Sequence, residues 1–155
     1  MTPAIEIAKS AGITFNLHEY EHDPTADSYG DEAVLKLGLN PNIVFKTLVL
    51  TDSDKHLLVA ILPVSKQLNL KRFAKAAGKK KVMMADKKSV ENTTGYISGG
   101  ISPLGQKKQL FTVIDDSAKL FEMIYVSAGR RGLQIELSPN DLLSLSGGKI
   151  EKISN

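Results

Sequence analysis

Residues 43–50 read Ile43-Val44-Phe45-Lys46-Thr47-Leu48-Val49-Leu50. This β-branched and apolar run has the composition of a strand buried on both faces. A turn cluster follows, Thr51-Asp52-Ser53-Asp54-Lys55, then a second apolar run from Leu57 to Leu62 closed by Pro63. The two runs predict a hairpin. Lys46 contradicts the pattern. Burying an ammonium costs several kcal/mol, or roughly 3–5 pKa units, unless something compensates. Either Lys46 reaches from the sheet into a cleft, or it meets a partner inside. The plainer alternative is an edge-strand lysine that keeps its head in water and guards the edge.

The 155 residues are 42% hydrophobic and 24% charged, which suits one soluble domain with a core of its own. No apolar run approaches the ~20 residues of a membrane span, and the first residues lack the pattern of a signal peptide. There is no cysteine, so neither a disulfide nor a cysteine nucleophile can form. A cytoplasmic protein is expected. The net charge of +3 conceals an asymmetry. Of 20 Lys and Arg, nine fall within residues 66–88 against Asp86 alone, whereas the other eleven face sixteen acidic residues. Such a segment suits a polyanion such as RNA, or else is a solvated lysine-rich helix face.

Along the chain, Thr2-Pro3 starts a helix that Gly12 ends. Ile13, Phe15 and Leu17 alternate with polar residues as a strand with one buried face, closed by Tyr20. A loop spans Glu21 to Asp27. A second helix runs from Ser28 to Gly38, a third over Leu68–Ala77, and a fourth from the cap Asp86 to Gly95. Val82-Met83-Met84 is a short strand. Further strands are expected at Gln109–Ile114, Met123–Ser127 and Leu133–Leu137, with a turn at Gly129-Arg130-Arg131-Gly132. Ser138-Pro139-Asn140-Asp141 opens a last helix. About seven strands and four or five helices, not strictly alternating, predict an α+β domain over residues 1–155 around a mixed, barrel-like sheet.

The most glycine-rich stretch is Gly99-Gly100-Ile101-Ser102-Pro103-Leu104-Gly105. Its backbone N–H groups could face an oxyanion or a phosphate, or it could be a structural turn. It matches neither a P-loop nor a dinucleotide fingerprint. His18, His22 and His56 have no metal-ligand spacing, and no metal or cofactor is expected. Ser102 and Ser127 sit in no nucleophile elbow. Asp52 and Asp54 read as turn formers.

Three segments in this order, Phe45-Lys46-Thr47, Gly99 to Gly105, and Ser127-Ala128-Gly129-Arg130-Arg131-Gly132-Leu133, resemble the YbaK family of trans-editing proteins. That family is related to the editing domain of bacterial prolyl-tRNA synthetases, and the resemblance covers essentially the whole chain. It implies a mixed, barrel-like sheet with flanking helices, and an activity that removes cysteine from mischarged Cys-tRNA(Pro). It also implies Lys46 as the central active-site residue and a glycine loop that holds the aminoacyl-tRNA 3′ end. That places Gly99, Ser102 and Pro103 on substrate, with Tyr20, Tyr29, Thr47 and Ser127 lining the pocket. Gln134 falls where close relatives carry an acidic residue, so only a neutral polar contact is expected of it.

With no protein thiol and no activated serine, the expected nucleophile is the substrate's own cysteinyl thiol. Gly100 and Ile101 would steady the oxyanion through their N–H groups. Lys71, Arg72, Lys79, Lys80 and Lys81 are the expected tRNA contacts. The expected partners are aminoacyl-tRNA and prolyl-tRNA synthetase in a ternary complex, without membrane or DNA. Two other readings are an Ala-tRNA(Pro) deacylase using water and a non-catalytic binder of aminoacyl-tRNA or synthetase.

Overall fold

The computed structural model describes residues 1–26 and 28–155; Asp27, in the expected loop from Glu21, lies outside them. Each helix carries its own start signal. α1 (Pro3–Ala11) begins on Thr2, whose hydroxyl accepts the Ile5 N–H. α2 (Tyr29–Leu37), α3 (Leu70–Ala77), α4 (Lys87–Thr94) and α5 (Pro139–Ser146) start likewise on Ser28, Asn69, Asp86 and Ser138. Such a cap contributes about 1 kcal/mol. All five end on a left-handed glycine, which frees the last carbonyls for capping bonds.

The strands are β1 (Phe15–Glu19), β2 (Phe45–Asp52), β3 (Leu57–Pro63), β4 (Val82–Met84), β5 (Phe111–Asp115), β6 (Ile124–Arg130), β7 (Leu133–Leu137) and β8 (Lys149–Glu151). They form two sheets, ordered β1-β7-β6 and β4-β2-β3-β5-β8. The first is antiparallel; the second mixes the antiparallel hairpin β2–β3 with parallel β3–β5 and β5–β8 pairs. The expected α+β class stands, but the single barrel-like sheet does not. The sheets meet at one isolated bridge, Val44 to Tyr125. β6 then bulges between Ser127 and Arg130, and the Ala128 carbonyl is taken by the Thr2 hydroxyl at 2.5 Å, so no ladder continues to close a barrel.

The main core lies between the sheets. Phe45, Val49, Val59 and Ile61 face Ile124, Val126, Ile135 and Leu137, with Ala4, Ile5 and Ala8 of α1 packed among them. Alternate residues of the same strands, Leu50, Leu58 and Ala60, pack against Phe73 and Ala74 of α3 on the other face. Each of the larger side chains, valine to phenylalanine, contributes roughly 1.5–3 kcal/mol when buried. Two polar locks fasten this second layer. Asp52, almost fully buried, accepts from Lys79 at 2.9 Å. Asp115, with no exposed surface, accepts the Ile153 and Ser154 N–H groups and the Ser117 hydroxyl.

Three expectations need correction in detail. Leu17, at the middle of β1 and opposite Ile135, keeps 42% exposure, because β1 is an outer strand with a partner on one side only. β6 runs on to Arg130, leaving Arg131 and Gly132 as the turn. The 3-10 helix Asp116–Leu120 and β8 are additional elements, too short for a periodic signal. Among the described residues no helix is long and apolar enough to cross a membrane.

Candidate active site

The Lys46 strand is paired unevenly. On one side β3 accompanies it from Phe45 to Thr51. On the other, β4 pairs only with Leu50–Asp52, and the bridge to β6 lies at Val44. Among the described residues, no strand lies beside the interval around Lys46–Leu48 there. A cavity of about 490 Å³ fills that gap, a size suited to a small-molecule ligand. Its walls come from Tyr20, the start of α2, the segment after β4, the glycine loop, and Ser127 and Gln134 on β6 and β7.

Successive side chains of a strand point to opposite faces, and both Lys46 and Thr47 line the cavity. Burial lowers the Lys46 pKa, and the nearby Asp31 carboxylate opposes that shift. No carboxylate lies within 4.0 Å of the Lys46 ammonium among the described residues. The Thr47 hydroxyl and the Gln134 side-chain carbonyl are buried without a hydrogen-bond partner. Unpaired buried polar atoms cost about 1–3 kcal/mol each, and here the two residues that carry them line one cavity together with a half-buried cation. Gln134 stands in register with Ser127 on one side and His18 on the other. The Ser127 hydroxyl accepts the Gly129 N–H at 3.2 Å. Among the described residues no histidine lines the cavity, so none places an imidazole base beside Ser127 there.

Tyr20 and Tyr29 both line the cavity as expected. Burial and the charge of Glu32 raise the Tyr20 pKa, so Tyr20 keeps its proton at neutral pH. Behind these tyrosines, His22 Nδ1 meets Glu32 Oε1 at 2.6 Å and Glu32 Oε2 accepts the Asp23 N–H at 2.7 Å. This pairing accounts for a glutamate with 5% exposure inside α2.

The glycine loop divides its residues between the cavity and the interior. Ser98, Gly99 and Ile101 line the cavity. At Gly99, φ is +90°, and an added Cβ would lie 2.6 Å from both the Tyr29 ring and Arg131 Nε. Gly100 is buried against the Arg130 backbone, and its N–H donates to Ile97 C=O at 2.9 Å. That amide, expected to meet an oxyanion, is therefore already spent. Ser102 and Pro103 also turn away from the cavity. The Ser102 hydroxyl accepts the Leu104 N–H at 3.2 Å, and Pro103 lines a separate small pocket beside Ile7.

The basic segment is likewise split. Lys71, Lys80 and Lys81 are exposed, whereas Arg72 donates to Ser154 C=O at 2.6 Å and Lys79 is held by Asp52. None of these five lines the cavity, but Lys87 does, together with Met84 and Arg130. Gly30, Asp31, Met84, Lys87 and Arg130 are lining residues that the sequence did not single out. For Lys87 and Arg130 the signal was there, in the basic run and in the Gly129–Gly132 motif.

A family model for the aminoacyl-tRNA editing domain matches residues 22–145. The chain is 44% identical over 137 residues, 88% of its length and 84% of the relative's, to EbsC of Enterococcus faecalis, which carries the provisional name Cys-tRNA(Pro)/Cys-tRNA(Cys) deacylase. Two solved structures share the fold over nearly all of both chains. One is the hypothetical protein APE2540, with a TM-score of 0.86 and 26% identity, covering 99% of this chain and 100% of that one. The other is a provisionally named trans-editing enzyme for prolyl-tRNA synthetase, with a TM-score of 0.80 and 17% identity, covering 100% and 99%. The cavity beside Lys46 thus belongs to a fold that these proteins share, and the chain is a member of the aminoacyl-tRNA editing domain family, in its YbaK branch.

Proposed function

We propose that residues 1–155 act as one editing domain that removes cysteine from Cys-tRNA(Pro), and from Cys-tRNA(Cys), in the cytoplasm alongside prolyl-tRNA synthetase. The observation that carries this reading is the cavity, where Lys46, Thr47 and Gln134 offer unpaired polar groups and no activated protein nucleophile stands beside them. Likeness to EbsC supports the choice of cysteine as the amino acid. Because the chain has no cysteine, the thiol is the substrate's own.

In this scheme the cysteinyl sulfur attacks its own ester carbonyl carbon. A C–S bond forms, the C–O bond to the ribose 3′-oxygen breaks, and the thiol proton ends on that oxygen. The products are tRNA with a free 3′-hydroxyl and a cyclic thioester, which water then opens to cysteine. Tethering supplies the effective concentration. Lys46 stabilises charge at the leaving-group end, and the Ile101 N–H replaces the committed Gly100 amide as a donor to the oxyanion. Tyr20, Tyr29 and Ser127 shape the pocket. Serine or alanine in the same place brings no thiol, so selectivity does not depend on a pocket telling similar small groups apart, a discrimination worth only ~1–3 kcal/mol. Lys80, Lys81 and Lys87 supply the RNA phosphate contacts.

Deacylation of Cys-tRNA(Pro), Ala-tRNA(Pro) and Ser-tRNA(Pro) by wild type and Lys46→Ala tests this reading. Loss of cysteine alone, abolished by the substitution, is expected. Comparable loss of alanine would assign water as the nucleophile, and no loss from any of the three would leave a binding module.

A further inference from the structure

The β2–β3 register fixes where the main chain of Thr47 points. Val64 N–H donates to Val44 C=O, and Asp52 N–H donates to His56 C=O. Residues 44, 46, 48, 50 and 52 therefore turn their N–H and C=O toward β3, and the odd-numbered residues turn theirs away. Two bonds on the far side agree with this parity. Ile43 C=O accepts from Tyr125, and Val49 C=O accepts from Ala85. Thr47 is the odd residue at the centre of the gap between the Tyr125 bridge and the β4 ladder. Its N–H and C=O face the cavity, on the same residue whose hydroxyl is buried without a partner.

An exposed strand edge is a ready template for another extended chain. An aminoacyl ester carries on one Cα the two groups that such an edge accepts, an N–H donor and a C=O acceptor. We propose that the Thr47 main chain holds the aminoacyl group as it would a paired strand residue. Its N–H donates to the ester carbonyl oxygen, and its C=O accepts from the α-ammonium. Resting on the editing reading above, this makes Thr47 N–H the second oxyanion donor beside Ile101 N–H, with the bond strengthening as charge builds on the oxygen. In an antiparallel pair opposite side chains share a face, so the substrate thiol lies beside the Thr47 hydroxyl, and Lys46, on the other face, is left to the leaving ribose.

The test replaces residue 47 by its α-hydroxy acid, which keeps the side chain and exchanges the N–H for an ester oxygen. On Cys-tRNA(Pro), kcat is expected to fall by ~10²–10³-fold, the cost of a lost oxyanion donor, while KM and the melting temperature barely move. A second arm needs no turnover. Cysteinyl-adenosine linked through a 3′-amide should shift the Thr47 amide proton downfield, and the analogue without the α-amine should bind more weakly. Wild-type activity with an unaffected ester variant, or binding of the analogue without movement of the Thr47 amide, overturns the pairing alone. Absence of wild-type deacylation overturns the editing reading, and the binding arm then still decides the pairing.

Discussion

Arg131 lays its guanidinium over the Tyr29 ring, 4.6 Å from the centroid, while its Nη2 and Nε donate to Ser98 C=O at 2.9 and 3.3 Å. Three segments far apart in sequence are joined by this one side chain: the start of α2, the glycine loop and the β6–β7 turn. A planar fork that both stacks and donates twice is chemistry that lysine does not reproduce. The residue touches no expected reacting atom, so it positions the loop that lines the cavity.

Arg131→Ala and Arg131→Lys are both expected to slow deacylation about tenfold with little change in melting temperature, as misplacement of a positioning element does. Added guanidinium should restore part of the activity to Arg131→Ala only. Steady-state kinetics with and without guanidinium checks this; full activity in the lysine variant would reduce Arg131 to a surface charge.

Lys46 gives a pH prediction. Burial depresses its pKa and Asp31 holds it up. Asp31→Asn removes the supporting charge, lowers the Lys46 pKa further, and so moves the alkaline limb of kcat/KM to lower pH. A pH–rate profile corrected for spontaneous ester hydrolysis measures the shift; an unmoved limb would separate Asp31 from Lys46.

The Thr47 hydroxyl is buried with no hydrogen-bond partner among the described residues. Thr47→Val removes that cost while preserving shape, so the melting temperature should hold or rise by up to roughly 2–4 °C, equivalent to about 1 kcal/mol in a chain of this size, as kcat/KM falls. Thermal unfolding alongside deacylation checks both halves, and a clear fall in stability would refute the assignment of an idle hydroxyl.

The lysines of residues 66–88 separate into two groups. Lys79→Ala leaves Asp52 buried without its main partner and should lower the melting temperature. Neutralising Lys80, Lys81 and Lys87 should leave it unchanged and flatten the salt dependence of tRNA binding by about one unit of slope per phosphate contact. Binding isotherms over a salt series, with thermal melts, distinguish the groups.

Asp115 anchors the C-terminal segment. Burial alone would raise its pKa, but hydrogen bonds from Ser117, Ile153 and Ser154 outweigh that and hold it below the ordinary value. The folded state thus favours the carboxylate. Its contribution is present above the unfolded pKa of about 3.9 and is lost as pH falls through the lower folded value. Asp115→Asn should cost about 2–3 kcal/mol at neutral pH and weaken the acid dependence of unfolding below about pH 5, as read from urea midpoints across pH.

The sequence by itself determined the local elements. Thr2, Ser28, Asp86 and Ser138 cap the helices expected of them, and Gly12, Gly38, Gly78 and Gly95 end theirs, because capping depends on neighbours a few residues apart. Lys46 stood out for a similar reason, with a cleft, a buried partner or an open edge as its alternatives: an ammonium inside an apolar run is a mismatch visible in one dimension. Only the tertiary structure decided which lysines were committed, since Lys79 and Asp52 are 27 positions apart and meet through packing. It alone spent the Gly100 amide on Ile97 and turned Ser102 and Pro103 inward, because a glycine-rich loop has many backbone paths and its neighbours select one. It also left Thr47 at an open strand edge. Strand pairing joins distant segments, and the place where pairing stops is a property of the assembled sheets, with no trace in the residues on either side of the gap.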